Sequence, residues 1–238
     1  MRILTDVVDL VFPACCLCCG RPGAAWCARC QPASRPSPVD RPNAPPVYAA
    51  GEYAERLRTA LIGYKERGRR QLAGPLAGYL ADAVDSAVRA AAAPGSPVLV
   101  PVPSSPAAAR SRGGDHVLRL ARAVGRQLEL PVLRIVSLAG PVEDSAGLSA
   151  EQRRLNLAGR MVASPPVAGR RRPILVDDIV TTGATLAEAS RALAVAGWPP
   201  GAAAVIAATR LRARAVGNPV PSVTAAQSPG YFNWADWQ

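Results

Sequence analysis

The chain has 238 residues, of which 49% are apolar, so it is long enough for one substantial domain with small additions. Its formal net charge of +11 is compatible with a nucleic-acid partner, but a solvated, arginine-rich surface encoded by a GC-rich genome explains the charge equally well. A single lysine, Lys65, excludes a Gly-Lys phosphate-binding loop, and a single histidine, His116, excludes a His-Glu-x-x-His zinc site.

The N-terminal segment has apolar residues at helical spacing, interrupted by Asp6 and Asp9. This pattern predicts an amphipathic helix over residues 1–12 that docks on the rest of the protein. A secretory signal would need an uninterrupted apolar centre and a small-residue cleavage site, so we expect a cytoplasmic protein. No apolar stretch is long enough to cross a bilayer, and we expect no membrane span.

All six cysteines lie within residues 15–30, where two Cys-x-x-Cys pairs follow one another closely. Four thiolates at this spacing can close around zinc, and a disulfide set or a redox dithiol is the alternative. Cys15 and Cys18 could replace the first pair in register, but Gly20 directly follows the pair that we choose. We predict a structural zinc site with these ligands: Cys16, Cys19, Cys27 and Cys30.

The composition divides the chain into four segments. Residues 1–31 form the helix and zinc module, and the proline-rich residues 32–46 form an extended linker that separates it from the main domain. Residues 47–210 form an α/β domain, and residues 211–238 form a disordered tail.

Within the α/β domain, short apolar runs alternate with amphipathic helical patterns. Continuous apolar strands separated by helices predict a parallel sheet that is covered on both faces. The strands are predicted at 47–53, 98–102, 132–136, 174–176 and 203–208, with a short edge strand at 160–163. The helices are predicted at 56–64, 72–88 and 117–128, with another from residue 186.

The most informative motif lies at residues 174–186, where an apolar strand ends at Asp177 and Asp178 and a hydroxyl-rich loop leads into a helix. A helix N-terminus offers unpaired N–H groups and a partial positive charge, so this loop can hold an anion without a lysine. Carboxylates accept hydrogen bonds from sugar hydroxyls and can order a hydrated Mg²⁺ ion. The motif predicts a site for a phosphorylated ribose, and an acidic strand end before an ordinary Thr-capped helix is the alternative. The predicted phosphate-binding residues are Thr181, Thr182, Gly183, Ala184 and Thr185.

A second loop follows the strand at 98–102 and contains two arginines beside paired glycines. Arginine supplies forked donors and glycine permits close approach, so we predict that Arg110, Arg112 and Gly113 bind a pyrophosphate. An exposed arginine loop is the alternative.

The polar segment 143–157 has the character of a lid that excludes water from a reactive sugar. A solvated connection is the alternative. The lid residues that we single out are Arg153, Arg154 and Asn156.

The motif at 174–186 closely resembles the signature of type I phosphoribosyltransferases. In that family the paired acids hold the ribose hydroxyls of phosphoribosyl pyrophosphate (PRPP), and the loop binds its 5′-phosphate. The order of motifs along residues 1–210 resembles the ComF family, the competence protein F or amidophosphoribosyltransferase-like group. The motifs are the double cysteine knuckle, the basic turn 65–70, the Val-Pro-Val-Pro strand, the Arg-Gly loop, the Ala-Gly-Leu-Ser segment and the Asp-Asp loop.

The resemblance implies a type I phosphoribosyltransferase fold, a parallel sheet flanked by helices, with a small N-terminal four-cysteine zinc module. It implies that Asp177, Asp178 and the phosphate loop bind PRPP with Mg²⁺. In transformable bacteria the family is linked to import of single-stranded DNA, so it also implies single-stranded DNA and DNA-uptake proteins as partners. Gly114-Asp115-His116 replaces a Phe-Asn-Gln of many relatives, and Ala107 and Ala108 replace a Lys-Arg pair, so this chain has fewer cations for pyrophosphate.

Two functions follow from these motifs. The first is a phosphoribosyltransferase linked to DNA uptake or nucleotide metabolism, in which positioning and charge neutralisation supply most of the rate. The second is a non-catalytic protein that senses PRPP or holds single-stranded DNA or a partner with the same fold.

Overall fold

A computed structural model describes residues 14–90, 95–105, 109–110, 113–139, 158–166, 170–199 and 201–210. The helix predicted at 1–12, the lid predicted at 143–157 and the tail predicted at 211–238 lie outside the described residues. None of the helices in the described part of the chain combines the length and the apolar character needed to cross a membrane.

The described chain alternates between strands and helices, as the sequence pattern predicts. The strands are β1 (Ser37–Val39), β2 (Val47–Glu52), β3 (Ser96–Pro101), β4 (Val136–Leu138), β5 (Met161–Ala163), β6 (Arg171–Val180) and β7 (Ala202–Ala208). The helices are α1 (Glu55–Lys65), α2 (Ala73–Ala90), α3 (His116–Gln127) and α4 (Ala184–Val195), with a short 3-10 turn at Arg70–Leu72.

The main sheet has five strands in the order β1-β2-β7-β6-β3. The pairs β2–β7, β7–β6 and β6–β3 are parallel, and only the edge strand β1 is antiparallel to its neighbour. Helices α2 and α3 pack on one face of this sheet, and α4 packs on β6 from the other. The prediction of an α/β fold with a mostly parallel sheet flanked by helices is confirmed.

The core follows from the apolar runs of the interior strands. Every residue of β7 is buried, and so are Ile174, Leu175 and Val176 in β6. A strand that is covered on both faces needs apolar residues without alternation, because neither face meets water. The buried run therefore delivers the polar residues that follow it to the carboxyl edge of the sheet, where α/β proteins bind their ligands.

Part of the predicted linker belongs to the sheet. Ser37–Val39 forms β1 and pairs with β2, although we predicted residues 32–46 to be an extended segment outside any element. Pro38 lacks an N–H group, but an edge strand tolerates this because one of its sides needs no partner. Proline-rich composition correctly indicated an extended backbone and did not reveal the pairing.

Two short strands also differ from the prediction. We predicted strands at 132–136 and 160–163 beside the main sheet. Instead, β4 and β5 form a separate antiparallel pair, and Val132 makes only a single bridge to Leu99. Segments of three residues carry too little periodicity to indicate which sheet they join.

The cysteine-bearing segment packs directly on the domain instead of standing apart from it. Cys16, Trp26 and Cys30 are buried together with residues of α1 and α2. The Trp26 ring stacks on Tyr79 of α2, with ring centroids 5.6 Å apart. An offset stacked pair of this kind adds to the stabilisation from buried area, so the cysteine segment and the sheet share one core.

Candidate functional site

The acid pair lies at the carboxyl end of β6. Asp177 is half-buried, and Asp178 is only 3% exposed. The Asp178 backbone N–H donates to Oδ1 of Asp177 at 2.8 Å, which fixes the position of that carboxylate beside the backbone. The two side chains alternate across the sheet, so the adjacent acids meet different surroundings.

Asp178 binds two side chains from the helices on its face of the sheet. Its Oδ2 accepts from Nζ of Lys65 at 2.9 Å and from Nε2 of His116 at 2.8 Å. Lys65 is the last residue of α1, and His116 is the first residue of α3. We predicted Asp178 as a ribose-binding acid, and the structure places its carboxylate in this three-residue cluster. Neither partner was predicted to belong to the site, although Lys65 is the only lysine of the chain.

The position of His116 is itself fixed by its neighbours. The Asp115 side chain accepts from the Leu118 N–H and caps α3, and the Tyr64 hydroxyl donates to the His116 carbonyl. Because a carboxylate only accepts, the hydrogen in the His116–Asp178 bond belongs to Nε2 of the ring. Nδ1 of His116 is buried and has no hydrogen-bond partner within the described residues.

The pKa values of the two acids therefore shift in opposite directions. Burial, followed by the negative charge of Asp178, raises the pKa of Asp177 to about 8. Burial also disfavours ionisation of Asp178, but Lys65 and His116 outweigh it and hold the pKa of Asp178 far below its usual range. The raised pKa of Asp177 favours its protonated form near neutral pH, whereas Asp178 is held as a carboxylate, and a cation bound beside Asp177 would favour its ionisation.

The predicted phosphate loop connects β6 to α4. Gly183 is the N-cap of α4 and has a left-handed backbone, with φ of 85°. A Cβ atom at this position would lie 2.7 Å from Cβ of Arg41, so only glycine fits here. The Thr182 hydroxyl accepts from the Ala184 N–H at 3.4 Å. Only three residues separate the end of β6 from the start of α4, so the N-terminus of α4 and the acid pair lie at the same edge of the sheet.

Arg41 lies directly against this loop, and it was not among the site residues predicted from the sequence. It is 6% exposed, and its guanidinium donates to the backbone carbonyls of Thr181 and Thr209. The contact to Thr181 spans 140 residues of sequence, and Arg41 falls in the proline-rich segment that we predicted as a linker. A lone arginine in such a segment gives no sequence signal.

The loop predicted to bind pyrophosphate is described only in part. Arg110 is exposed, and Arg112 lies outside the described residues. The Gly113 carbonyl accepts from Nη2 of Arg70 at 3.1 Å and from Nη2 of Arg119 at 3.3 Å. These two arginines bring positive charge to the loop from the basic turn and from α3. The predicted lid residues Arg153, Arg154 and Asn156 also lie outside the described residues.

A second cluster is formed by the sulfurs of Cys16, Cys19, Cys27 and Cys30, which all lie within 4.8 Å of one another. The Sγ atoms of Cys19 and Cys27 are 3.7 Å apart. Tetrahedral zinc with bonds of about 2.3 Å to sulfur requires sulfur atoms about 3.8 Å apart. The four cysteines predicted from the sequence therefore form a group that could hold a metal ion, and Cys15 and Cys18 do not belong to it.

The thiols of this cluster also have shifted pKa values. Burial opposes ionisation of Cys16, but N–H groups such as that of Cys27 point at its sulfur and lower the pKa of Cys16 to about 6. Burial, together with hydrogen bonds between the Cys30 thiol and the other three sulfurs, raises the pKa of Cys30 to about 12. Four sulfurs this close cannot all ionise without a cation, which is the situation that a bound metal ion relieves.

The fold and these two clusters define an α/β protein with a mostly parallel sheet, an acid pair before a glycine-capped helix, and a four-cysteine group suited to a metal ion. No protein-family model matches the chain. The chain is similar to Competence protein F of Haemophilus influenzae, with 33% identity over 146 residues. The match covers 60% of this chain and 64% of the length of that protein.

Proposed function

We propose that the chain is a phosphoribosyltransferase-like protein of the ComF family that binds PRPP with Mg²⁺ at the carboxyl edge of its sheet. The observation that supports this most is the junction between β6 and α4. There the acid pair lies in the last four residues of a buried strand, and the left-handed Gly183 directs the chain into the N-terminus of α4. The similarity to Competence protein F supports the ComF assignment.

Each predicted site residue has a role in this proposal. Asp177 binds the ribose hydroxyls, and the loop from Thr181 to Thr185 binds the 5′-phosphate through N–H and hydroxyl donors. Asp178 orients the strand end through Lys65 and His116 and contributes fixed negative charge. The Arg110–Gly113 loop binds the pyrophosphate, and Arg153, Arg154 and Asn156 belong to a lid.

The chemistry would be displacement of pyrophosphate from C1 of the ribose by a nitrogen nucleophile. The protein residues hold the sugar in place, neutralise charge on the leaving pyrophosphate and exclude water. Mg²⁺, when bound, would neutralise phosphate charge, and the carboxylate of Asp177 is a suitable oxygen ligand for it or for its waters.

We also propose that the four-cysteine cluster holds structural zinc. The sulfur spacing suits tetrahedral coordination, and burial of Cys16 and Cys30 against the core ties the metal to the stability of the domain. Such a protein would reside in the cytoplasm, where its thiols stay reduced.

A second candidate is a non-catalytic protein that senses PRPP or holds single-stranded DNA or a DNA-uptake protein. The net charge of +11 and the similarity to Competence protein F favour it. A steep salt dependence of binding to single-stranded DNA would support this candidate.

Two measurements on the purified protein separate these functions. Calorimetric titration with PRPP and Mg²⁺ tests the site, and release of pyrophosphate with candidate bases tests catalysis. Binding with base-dependent release supports the enzyme, whereas binding without release supports the sensor. Absence of PRPP binding in the metal-loaded protein would contradict the enzyme and the PRPP sensor, and would leave only a protein that holds single-stranded DNA or a DNA-uptake protein.

A further inference from the structure

Arg41 is a buried cation that no carboxylate neutralises at contact distance within the described part of the chain. Its guanidinium donates only to carbonyls, which are those of Asp40 at 2.7 Å, Thr181 at 2.6 Å and Thr209 at 2.5 Å. Burying a charge is costly unless hydrogen bonds and an opposite charge compensate. The carbonyls supply the hydrogen bonds, and the opposite charge is missing from the described contacts.

Two of the acceptors of Arg41 lie at the carboxyl ends of neighbouring strands of the sheet. Thr181 and Thr209 are the first residues after β6 and β7, and the Thr209 N–H donates to the Val180 carbonyl. One guanidinium therefore fastens the start of the phosphate loop to the neighbouring strand. The stem of Arg41 also lies against Gly183, so the same side chain contacts the loop at its first and at its middle residue.

The bond from Arg41 to Thr181 also sets the direction of a loop donor. In a trans peptide the carbonyl and the following N–H point in opposite directions. Because the Thr181 carbonyl points to Arg41, the Thr182 N–H points away from it, toward the opposite side of the loop. Arg41 thus orients an N–H group outward and places positive charge behind it.

We propose that Arg41 is a positioning residue of the phosphate loop at 181–185, holding its backbone donors in place and supplying the positive charge that a bound phosphate neutralises. This inference rests on the proposed function for the identity of the phosphate, which is the 5′-phosphate of PRPP. The loop-holding part of the proposal does not depend on that ligand. Burial lowers the pKa of Arg41, and the negative charge of Asp40, which acts without a direct ion pair, opposes this shift only in part.

An anion could instead bind to Arg41 in a cleft of about 450 Å³ beside β1, because Arg41 is one of the residues that line it. Arg35 lines the same cleft but makes no contact with the loop among the described residues, so it is the matched control. Arg210, which also lines the cleft, is paired with Glu52. An anion that binds in the cleft would therefore depend on Arg35 and Arg41, whereas a phosphate at the loop depends on Arg41 and not on Arg35.

The test compares the wild type with Arg41→Met, Arg41→Lys and Arg35→Met. Amide hydrogen exchange of peptides covering 176–190 measures loop order, and calorimetry with ribose 5-phosphate measures phosphate affinity. We expect Arg41→Met to accelerate exchange at 181–185 and to weaken ribose 5-phosphate binding about tenfold or more, with Arg35→Met unchanged. Arg41→Lys keeps the charge but not the fork, so it should recover affinity more fully than loop protection.

The outcomes separate this inference from the proposed function. If the wild type does not bind ribose 5-phosphate or PRPP, the proposed function fails, and the exchange data alone decide whether Arg41 holds the loop. Unchanged exchange and unchanged affinity in Arg41→Met would overturn the inference. Equal loss of affinity in Arg35→Met and Arg41→Met would overturn it in favour of the cleft. Equal loss of affinity and of loop protection in Arg41→Lys and Arg41→Met would overturn the role of the charge and leave Arg41 as a purely structural contact.

Discussion

At the scale of single residues, the two adjacent acids of β6 have opposite electrostatic surroundings. Asp178 contacts Lys65 and His116 and is held in its ionised form, whereas Asp177 is next to that charge and retains a proton. In the proposed function the two acids therefore have separate tasks. Asp178 contacts the ends of two helices, and Asp177 binds the ligand.

The raised pKa of Asp177 predicts a pH-dependent stability. When folding raises the pKa of an acid, its contribution to stability is fully present at pH values below its pKa in the unfolded chain. This contribution is lost as the pH rises through the pKa in the folded protein, which is about 8 for Asp177. The free energy of unfolding should therefore fall between pH 5 and pH 8 by up to about 1 kcal/mol per pH unit relative to Asp177→Asn. Denaturant titrations of both proteins across this range check the difference. Parallel pH profiles would show that Asp177 titrates normally.

At the scale of elements, the junction between β6 and α4 depends on Gly183. Its φ of 85° and its contact with Arg41 leave no room for a side chain. Gly183→Ala should lower the free energy of unfolding by about 2 kcal/mol, because a positive φ and a close contact are both penalised. Urea unfolding followed by circular dichroism provides the measurement.

Two other glycines provide a matched control for this substitution. Gly74 and Gly78 lie in α2, where a Cβ atom would meet nothing within 4 Å. Alanine at either position should raise the free energy of unfolding by about 0.5–1 kcal/mol, since glycine is a poor helix former. A Gly183→Ala protein as stable as the wild type would contradict the close packing of the loop against Arg41.

The same junction explains how far the sequence could predict this fold. The acid pair, the glycine and the helix start lie within one short segment, so their arrangement follows from local rules. The contacts of Lys65 and His116 with Asp178 could not be predicted from the sequence. The His116–Asp178 contact spans 62 residues, and no local sequence pattern encodes it. β1 was predicted as linker because its pairing with β2 depends on the folded sheet and not on proline content.

At the scale of the whole molecule, the cysteine cluster and the sheet share a core. Cys16 and Cys30 are buried with Trp26, which stacks on α2. Removal of zinc by a chelator should therefore destabilise the whole domain and lower its Tm by more than about 10 °C. Metal analysis should give one zinc per chain, and Trp fluorescence should change on chelation.

Cysteine variants test which residues bind the proposed zinc. Cys19→Ser should lose zinc, whereas Cys15→Ser and Cys18→Ser should keep it, because those two thiols lie outside the four-sulfur group. Full zinc content in Cys19→Ser together with loss in Cys18→Ser would show that the alternative register is used.

The central claim is that a phosphorylated ribose binds at the end of β6, and Asp177→Asn tests it most directly. Asparagine resembles the protonated acid in shape, so the variant should keep the fold while losing a charged acceptor and Mg²⁺ ligand. In calorimetric titrations with PRPP and Mg²⁺ at pH 8, we predict binding by the wild type and at least about tenfold weaker binding by Asp177→Asn. Equal PRPP affinity for the two proteins would contradict the account.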